Sequence, residues 1–471
     1  MLDGYEVDPG LYDEAFEGPG RPRPHYVPLL EALAVLDLDE MERDLTARLS
    51  GAGVTFGESE TGLLALDLVP RLLTPSEWTT ISVGVLQRAR ALDRFAADVY
   101  GERAIVAAGI LPERVIQSSA HYEPAMRGGE GPPTWVSIVG FDLVRGPDGE
   151  FGVLEDQIRM PSGLAYAAAA REVLPELLGV APAADAGMDT AFVRLADALR
   201  EAAPEPAEDP SIVVLSSGRD GAGWYEHERI GRELGVPVVT LDRLERRRGG
   251  ALGARVEDGT IPVDVVYQRT DEDRFTDGSG RPTALGEALL EPCRTGRIAC
   301  VNAPGSGIGD DKLVHGYVDE MVGFYLDEDP ALRSVGSYDL GVDARRAAAL
   351  ERMNEMVFKP RAEMGGEGVV VWSHADDAER DQVRRSLDDS PQELIAQRRV
   401  ELSSHPTVRG GRLRPRRVDL RPYVIRTPDR EWVTPGLTRV ALDEGSLIVN
   451  SSRGGGVKDT WLAGEPPSPS T

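Results

Sequence analysis

Residues 135–163 read WVSIVGFDLVRGPDGEFGVLEDQIRMPSG. Two runs rich in β-branched and aromatic residues, 135–145 and 151–157, flank Pro147-Asp148-Gly149, and that turn signal predicts a β-hairpin. Side chains alternate along a strand, so Asp142 and Glu155 face each other across the pair and Gln157 shares the face of Glu155, while Asp156 points the other way. Two carboxylates and an amide oxygen are hard donors of the kind that suits Mg2+ bridging nucleotide phosphates. Charged hairpin residues facing solvent would give the same pattern. Pro161-Ser162-Gly163 ends the hairpin and opens a helix through AYAAAAREVL.

Around this hairpin the chain of 471 residues divides by texture, and its length suits two to three domains. Residues 1–26 read as a flexible N-terminal tail. Apolar spacing predicts helices over 28–49 (Leu29, Leu30, Leu33, Leu36) and 77–100 (Val83, Leu86, Leu92, Phe95), so 27–205 is a helical region carrying the hairpin. The proline-rich EAAPEPAEDP (201–210) reads as a linker. In 206–305 the short apolar runs SIVVLSSG, VPVVTL, VDVVYQR and IACVN alternate with helical stretches, which predicts a parallel sheet in an α/β unit. Residues 306–462 pass from a helix to mixed strands, MVFKP, EGVVVW, LIAQRRVEL, RVDLRPYVI, GLTRVAL and GSLIVNSS. Residues 463–471 read as a disordered tail.

Among 52 basic residues only Lys312, Lys359 and Lys458 are lysine, each in a glycine-rich context. A compact ammonium beside a glycine-rich loop, whose backbone N–H groups approach an anion closely, is a phosphate-binding pattern. GSGIGDDK, ending at Lys312, is not a Walker A loop, because two aspartates separate Gly309 from the lysine. An Asp-capped helix start would look the same. Lys359 ends an apolar strand, and Gly365-Gly366-Glu367-Gly368 leads to the next, which would let a glycine loop fold over a triphosphate. An ordinary hairpin turn is the other reading.

A net charge of −27 repels nucleic acid and anionic membranes, and no basic stripe offsets it; salt adaptation of the host would also explain it. No apolar run approaches a membrane span and the start has no signal-peptide core, so a cytoplasmic location is expected. Cys293 and Cys300 match neither a redox nor a zinc spacing, and the histidines form no HExxH. The absence of G-x-S-x-G removes the main handle for an α/β-hydrolase.

The set DL (142–143), VLEDQIRMPSG (153–163), GDDK (309–312), KP…GGEG (359–368), IAQ (395–397), RRVDLRPYV (416–424) and GLTRVAL…GSLIVNSSRGGGVKDTW (436–461) resembles the circularly permuted ATP-grasp proteins of type 2, relatives of glutathionylspermidine synthase. The resemblance covers about 27–462 and implies an α/β fold of two lobes clasping ATP, formed by 306–462, with 206–305 as the preceding substrate-side domain. The permuted order fits, since the metal-type motif precedes the lysines. The resemblance implies that Lys312 and Lys359 contact ATP phosphates, that Gly365, Gly366 and Gly368 belong to the lid loop, and that Gln397 borders the adenine. It places Asp142, Glu155 and Gln157 at the Mg2+ positions. Arg439, with Lys359, would stabilise the transferring phosphoryl group, and Asn450 would lie near it. Glutamine at 157 departs from the family's Glu-x-Asn. Arg159, Arg417, Arg421 and Lys458 are candidates for substrate contacts or structural ion pairs. The implied activity is an ATP- and Mg2+-dependent ligase joining a small carboxylate to an amine or thiol through an acyl phosphate. The alternatives are a phosphotransferase, or an inactive nucleotide-binding scaffold serving a partner enzyme of the same pathway.

Overall fold

The computed structural model describes residues 5–57, 62–129, 131–184, 186–204, 209–247, 250–270, 274–361, 368–446, 449–450 and 454–464. Helices α1 (Val27–Ala34) and α2 (Leu38–Gly51) lie where one helix was expected. The break comes at Asp37, whose side chain accepts the Glu40 N–H and caps α2. Strand β1 (Arg71–Leu73) leads into α3 (Pro75–Tyr100), which starts on a capping box between Thr74 and Glu77 and buries Leu92 and Phe95.

The hairpin forms as β2 (Ile138–Arg145) and β3 (Phe151–Gln157), followed by α4 (Leu164–Leu178). β2 starts three residues later than expected, because the N–H groups of Trp135 and Val136 go to Asp93 and those of Ser137 and Ile138 to Asn302. Next come β4 (Ile212–Ser216), α5 (Trp224–Leu234), β5 (Val238–Val239), β6 (Val265–Arg269), α6 (Ala284–Arg294) and β7 (Ala299–Val301). These four strands form a parallel sheet in the order β7-β6-β4-β5. The short α7 (Lys312–His315) precedes β8 (Ser337–Asp339), β9 (Met356–Pro360), β10 (Val370–Val371) and β11 (Leu394–Arg398), an antiparallel sheet in the order β8-β11-β9-β10.

The chain ends in β12 (Ser404–Val408), β13 (Leu413–Arg426), β14 (Glu431–Val440) and β15 (Gly456–Leu462). These join β1 and the hairpin in a seven-stranded sheet ordered β1-β15-β14-β13-β2-β3, with β12 on β13. The hairpin and β12 to β15 thus share one sheet, so a boundary at 205 does not separate them.

Three expectations need correction. Residues 5–26 are packed rather than tail-like, with Tyr5, Ala15 and Phe16 buried. Its acids include internal partners: Glu14 bridges Arg71 at 2.5 Å and Arg145 at 2.8 Å. Second, the glycines of 454–456 lead into β15, a strand that the sequence reading missed, whereas half of GSLIVNSS lies outside the described residues. Third, Ala463 is buried, and its N–H is bonded to Leu73, so the last segment packs through that residue; 465–471 lie outside the described residues. Among the described residues no helix is long and apolar enough to cross a membrane.

Candidate active site

A cavity of about 690 Å³ lies between the seven-stranded sheet and the smaller antiparallel sheet. The hairpin supplies Asp142 and Glu155, which are direct partners in register, with a bulge just after Asp142. Gln157 lies on the same face and its amide donates to Glu155 Oε2 at 3.4 Å. From the facing sheet Lys359, on β9, brings its amine to 3.4 Å from Glu155 Oε1. The half-site with lysine and the half-site with carboxylates therefore meet, although 204 residues separate them.

Lys312 lines the same cavity from α7. Burial lowers its pKa, the Glu155 carboxylate opposes that shift, and Lys359 adds to it. One ion pair ties the two lysine-bearing segments together: Asp311, which caps α7 by accepting the Leu313 N–H, receives Arg361 at 2.7 Å. Arg361 is two residues from Lys359 and is buried, so the pair sets the spacing of the two amines. Gln397, on β11, also lines the cavity, and its amide donates to Leu154 O at 3.1 Å and to Ser337 Oγ at 3.0 Å.

At the floor of the cavity charges alternate. Arg421 grips Asp142 through two bonds of 2.6 and 2.9 Å, and Arg439 Nη2 lies 2.9 Å from Asp142 and also pairs with Asp419. Burial would raise the Asp142 pKa, but the two guanidiniums outweigh it and hold it down to about 2. Asp419 goes the other way, raised by burial in spite of Arg439. Asp419 and Arg439 are cross-strand partners in register on β13 and β14, which explains the pairing. Asp419 is one cavity residue that sequence reasoning missed; its place two residues before Arg421 in RRVDLRPYV, hence on the same face of the strand, hints at the site but not at its pairing with Arg439.

The remaining candidates divide. Arg159 lines the cavity and donates to Asp310 at 2.8 Å, and Asn450 lines it as well. Gly368 adopts φ +66° at the start of the run into β10, while Gly365 and Gly366 lie outside the described residues. Arg417 is not among the cavity residues; it binds Leu402 O at 3.0 Å and lies 3.6 Å from Asp8. Lys458 is fully buried on β15, where it pairs with Asp67 and donates to Pro406 O at 3.0 Å and Val69 O at 3.2 Å. A buried lysine ringed by one carboxylate and two carbonyls ties those segments together, and Lys458 is not among the residues that line the cavity. Asp156, on the opposite face of β3, is held by Arg88 at 2.5 Å and His315 at 2.7 Å.

The pattern of the family described as circularly permuted ATP-grasp type 2 matches residues 70–441. The Frankia alni protein named "Putative glutamate--cysteine ligase 2-3" is 40% identical over 479 residues, which cover 98% of this chain and 54% of that one. The chain therefore spans about half the length of that relative. An uncharacterised Synechocystis protein is 37% identical, covering 97% of this chain and 98% of its own. One from Mycobacterium tuberculosis H37Rv is 38% identical, covering 96% and 84%. A solved glutathione synthetase-like effector of Globodera pallida superposes with a TM-score of 0.59 at 13% identity, covering 90% of this chain and 96% of that one; at this identity the likeness concerns the fold alone.

Proposed function

Since this chain belongs to the circularly permuted ATP-grasp type 2 family, we propose that it is an ATP- and Mg2+-dependent ligase that activates a small carboxylate and joins it to an amine or thiol. The observation that carries this reading is the meeting of both cavity lysines with the paired carboxylates of the hairpin in one cleft.

The residues present fit a magnesium ion. Asp142, Glu155 and Gln157 offer oxygen donors on one face of the hairpin, and Arg421 and Arg439 occupy three of the roughly four acceptor positions of the Asp142 carboxylate. Held by these three residues, the ion would supply positive charge that neutralises part of the charge of the phosphates. Lys312 and Lys359 would hold the phosphate chain from the facing side. Arg439, fixed between Asp142 and Asp419, would meet the charge that builds on the transferring phosphoryl group; its orientation is set before substrate arrives, which is where such stabilisation gains its effect.

In this reaction a substrate carboxylate oxygen attacks the γ-phosphorus and the bond to the β-phosphate oxygen breaks, giving an acyl phosphate and ADP. The amine or thiol then attacks the acyl carbon, inorganic phosphate leaves, and the nucleophile loses a proton. Glutamate and cysteine are the first pair to try, because the name of the Frankia relative specifies them. The test is ADP release from ATP and Mg2+ across pools of carboxylates and amines, with the product identified by mass. An amide or thioester formed in step with ADP is expected. A phosphorylated product would make the protein a phosphotransferase, and no ADP with any pair would make it a scaffold.

A further inference from the structure

The Pro161–Gly163 turn stands shortly beyond the end of β3, and Ser162 and Gly163 line the cavity, yet the chemistry above gives the turn no task. It is clamped from two sides. Arg269, the last residue of β6, donates to Pro161 O at 2.8 Å and to Glu226 Oε2 at 2.7 Å. Glu226, on α5, accepts through Oε1 the backbone N–H groups of Gly163 at 2.8 Å and Ala165 at 3.1 Å. From the other side Tyr423 donates its hydroxyl to Ser162 O, and Arg421 reaches the same oxygen at 3.4 Å. Gly163 has φ +122°, and a Cβ there would lie 2.3 Å from Tyr423 Oη, so glycine is required.

Glu226 and Arg269 are 1% and 3% exposed, a pair whose desolvation is offset only by good geometry. Because Glu226 already satisfies the first amides of α4, the place that a helix start offers an anion is filled by the protein's own carboxylate. What the turn presents is Ser162, an exposed residue that lines the cavity and whose carbonyl accepts from Arg421. A chain of contacts crosses the cleft: Lys359 lies 3.4 Å from Glu155, Glu155 stands opposite Asp142, Asp142 binds Arg421 at 2.6 Å, and Arg421 reaches Ser162 O. The Lys359 amine and Ser162 are thus the two termini of this chain of contacts. Three of the five N–H donors of Arg421 go to Asp142 and Ser162 O, which leaves two.

We propose that this turn seats the carboxylate-bearing substrate, with the Ser162 hydroxyl and Arg421 as its contacts and Glu226 and Arg269 as positioning residues. The inference rests on the ligase reading and goes beyond it by assigning the end of the cleft and the residues that recognise the acid.

The test separates the two ends of the cleft. ATP affinity is measured by calorimetry, and ADP release is followed as glutamate is varied at saturating ATP and cysteine, for the wild type, Ser162→Ala, Ser162→Thr and Glu226→Gln. Ser162→Ala should raise KM for glutamate about tenfold, the loss of one hydrogen bond to a charged group, and leave ATP affinity unchanged. Ser162→Thr should restore most of the wild-type KM. Glu226→Gln should raise KM for glutamate and lower kcat, again with ATP affinity unchanged. A KM for glutamate that does not move in Ser162→Ala, or an ATP affinity that falls instead, overturns the proposal. If glutamate is inert, the same comparison uses whichever acid of the pool drives ADP release; a wild type that binds ATP but responds to no acid also overturns it. Failure to bind ATP at all overturns the ligase reading instead.

Discussion

Lys359 sits with its amine 3.4 Å from Glu155, its side chain 13% exposed, in a narrow gap between two sheets. A guanidinium is larger and planar, so Lys359→Arg, conservative in charge, should cost about 2–4 kcal/mol of transition-state stabilisation, or roughly a hundredfold or more in turnover. Steady-state ADP release checks this, and a wild-type rate in the variant would contradict it. Glu155→Gln removes a ligand charge and should nearly abolish Mg2+-dependent turnover. Gln157→Asn should change the rate only a few fold, because the longer side chain costs roughly 0.5–1 kcal/mol of rotamer entropy to fold back; a magnesium titration of the rate compares the two. At this scale the sequence was legible where alternation in a strand decides, as for Asp142 opposite Glu155. It misled where context alone was used: Lys458 resembled a phosphate lysine because glycines precede it, but those glycines lead into β15, whose pairing with β14 puts the amine inside. Asp419 was missed because its partner, Arg439, comes from another strand, and register between strands is not written in either one.

Among the elements, β15 is tied to the 67–69 segment and to β12 by Lys458. Lys458→Met would leave the Asp67 carboxylate buried without its cation and should destabilise the fold by on the order of 3–5 kcal/mol, seen in urea unfolding, while ATP affinity stays the same. Equal stability would refute the structural role. On α5, burial and then Arg269 lower the pKa of His227 from 6.5 to about 3, and its Nδ1 lies 2.8 Å from Ser216 Oγ. The folded state therefore keeps His227 neutral while the unfolded chain takes up a proton below about pH 6.5. Stability should fall as pH drops through that window, by up to about 1.4 kcal/mol per pH unit from this residue. His227→Gln should flatten the slope of stability against pH between 6.5 and 5, and an unchanged slope would count against it. Helix and hairpin positions could be read from periodicity and turn residues. The break between α1 and α2 could not, because the apolar spacing continues across Asp37 and only the cap interrupts it.

For the whole molecule, two sheets built from distant stretches close on one cleft, and the Asp311–Arg361 pair holds the two lysine segments in register across it. That closure could be expected from the order of motifs, with the acids before the lysines, but the sharing of one sheet by the hairpin and the last strands depends on long-range pairing that no local pattern encodes. The N-terminal segment shows the same limit, since its acids look solvated until Arg71 and Arg145 are placed beside Glu14. The claim that everything else depends on is that ATP binds between the lysines and the hairpin carboxylates. Calorimetric titration of ATP, with and without Mg2+, into the wild type and into the Lys312→Met, Lys359→Met double variant tests it directly. The ligase reading predicts saturable binding that strengthens with Mg2+ in the wild type and is lost in the double variant; equal ATP affinity in the two proteins would contradict it.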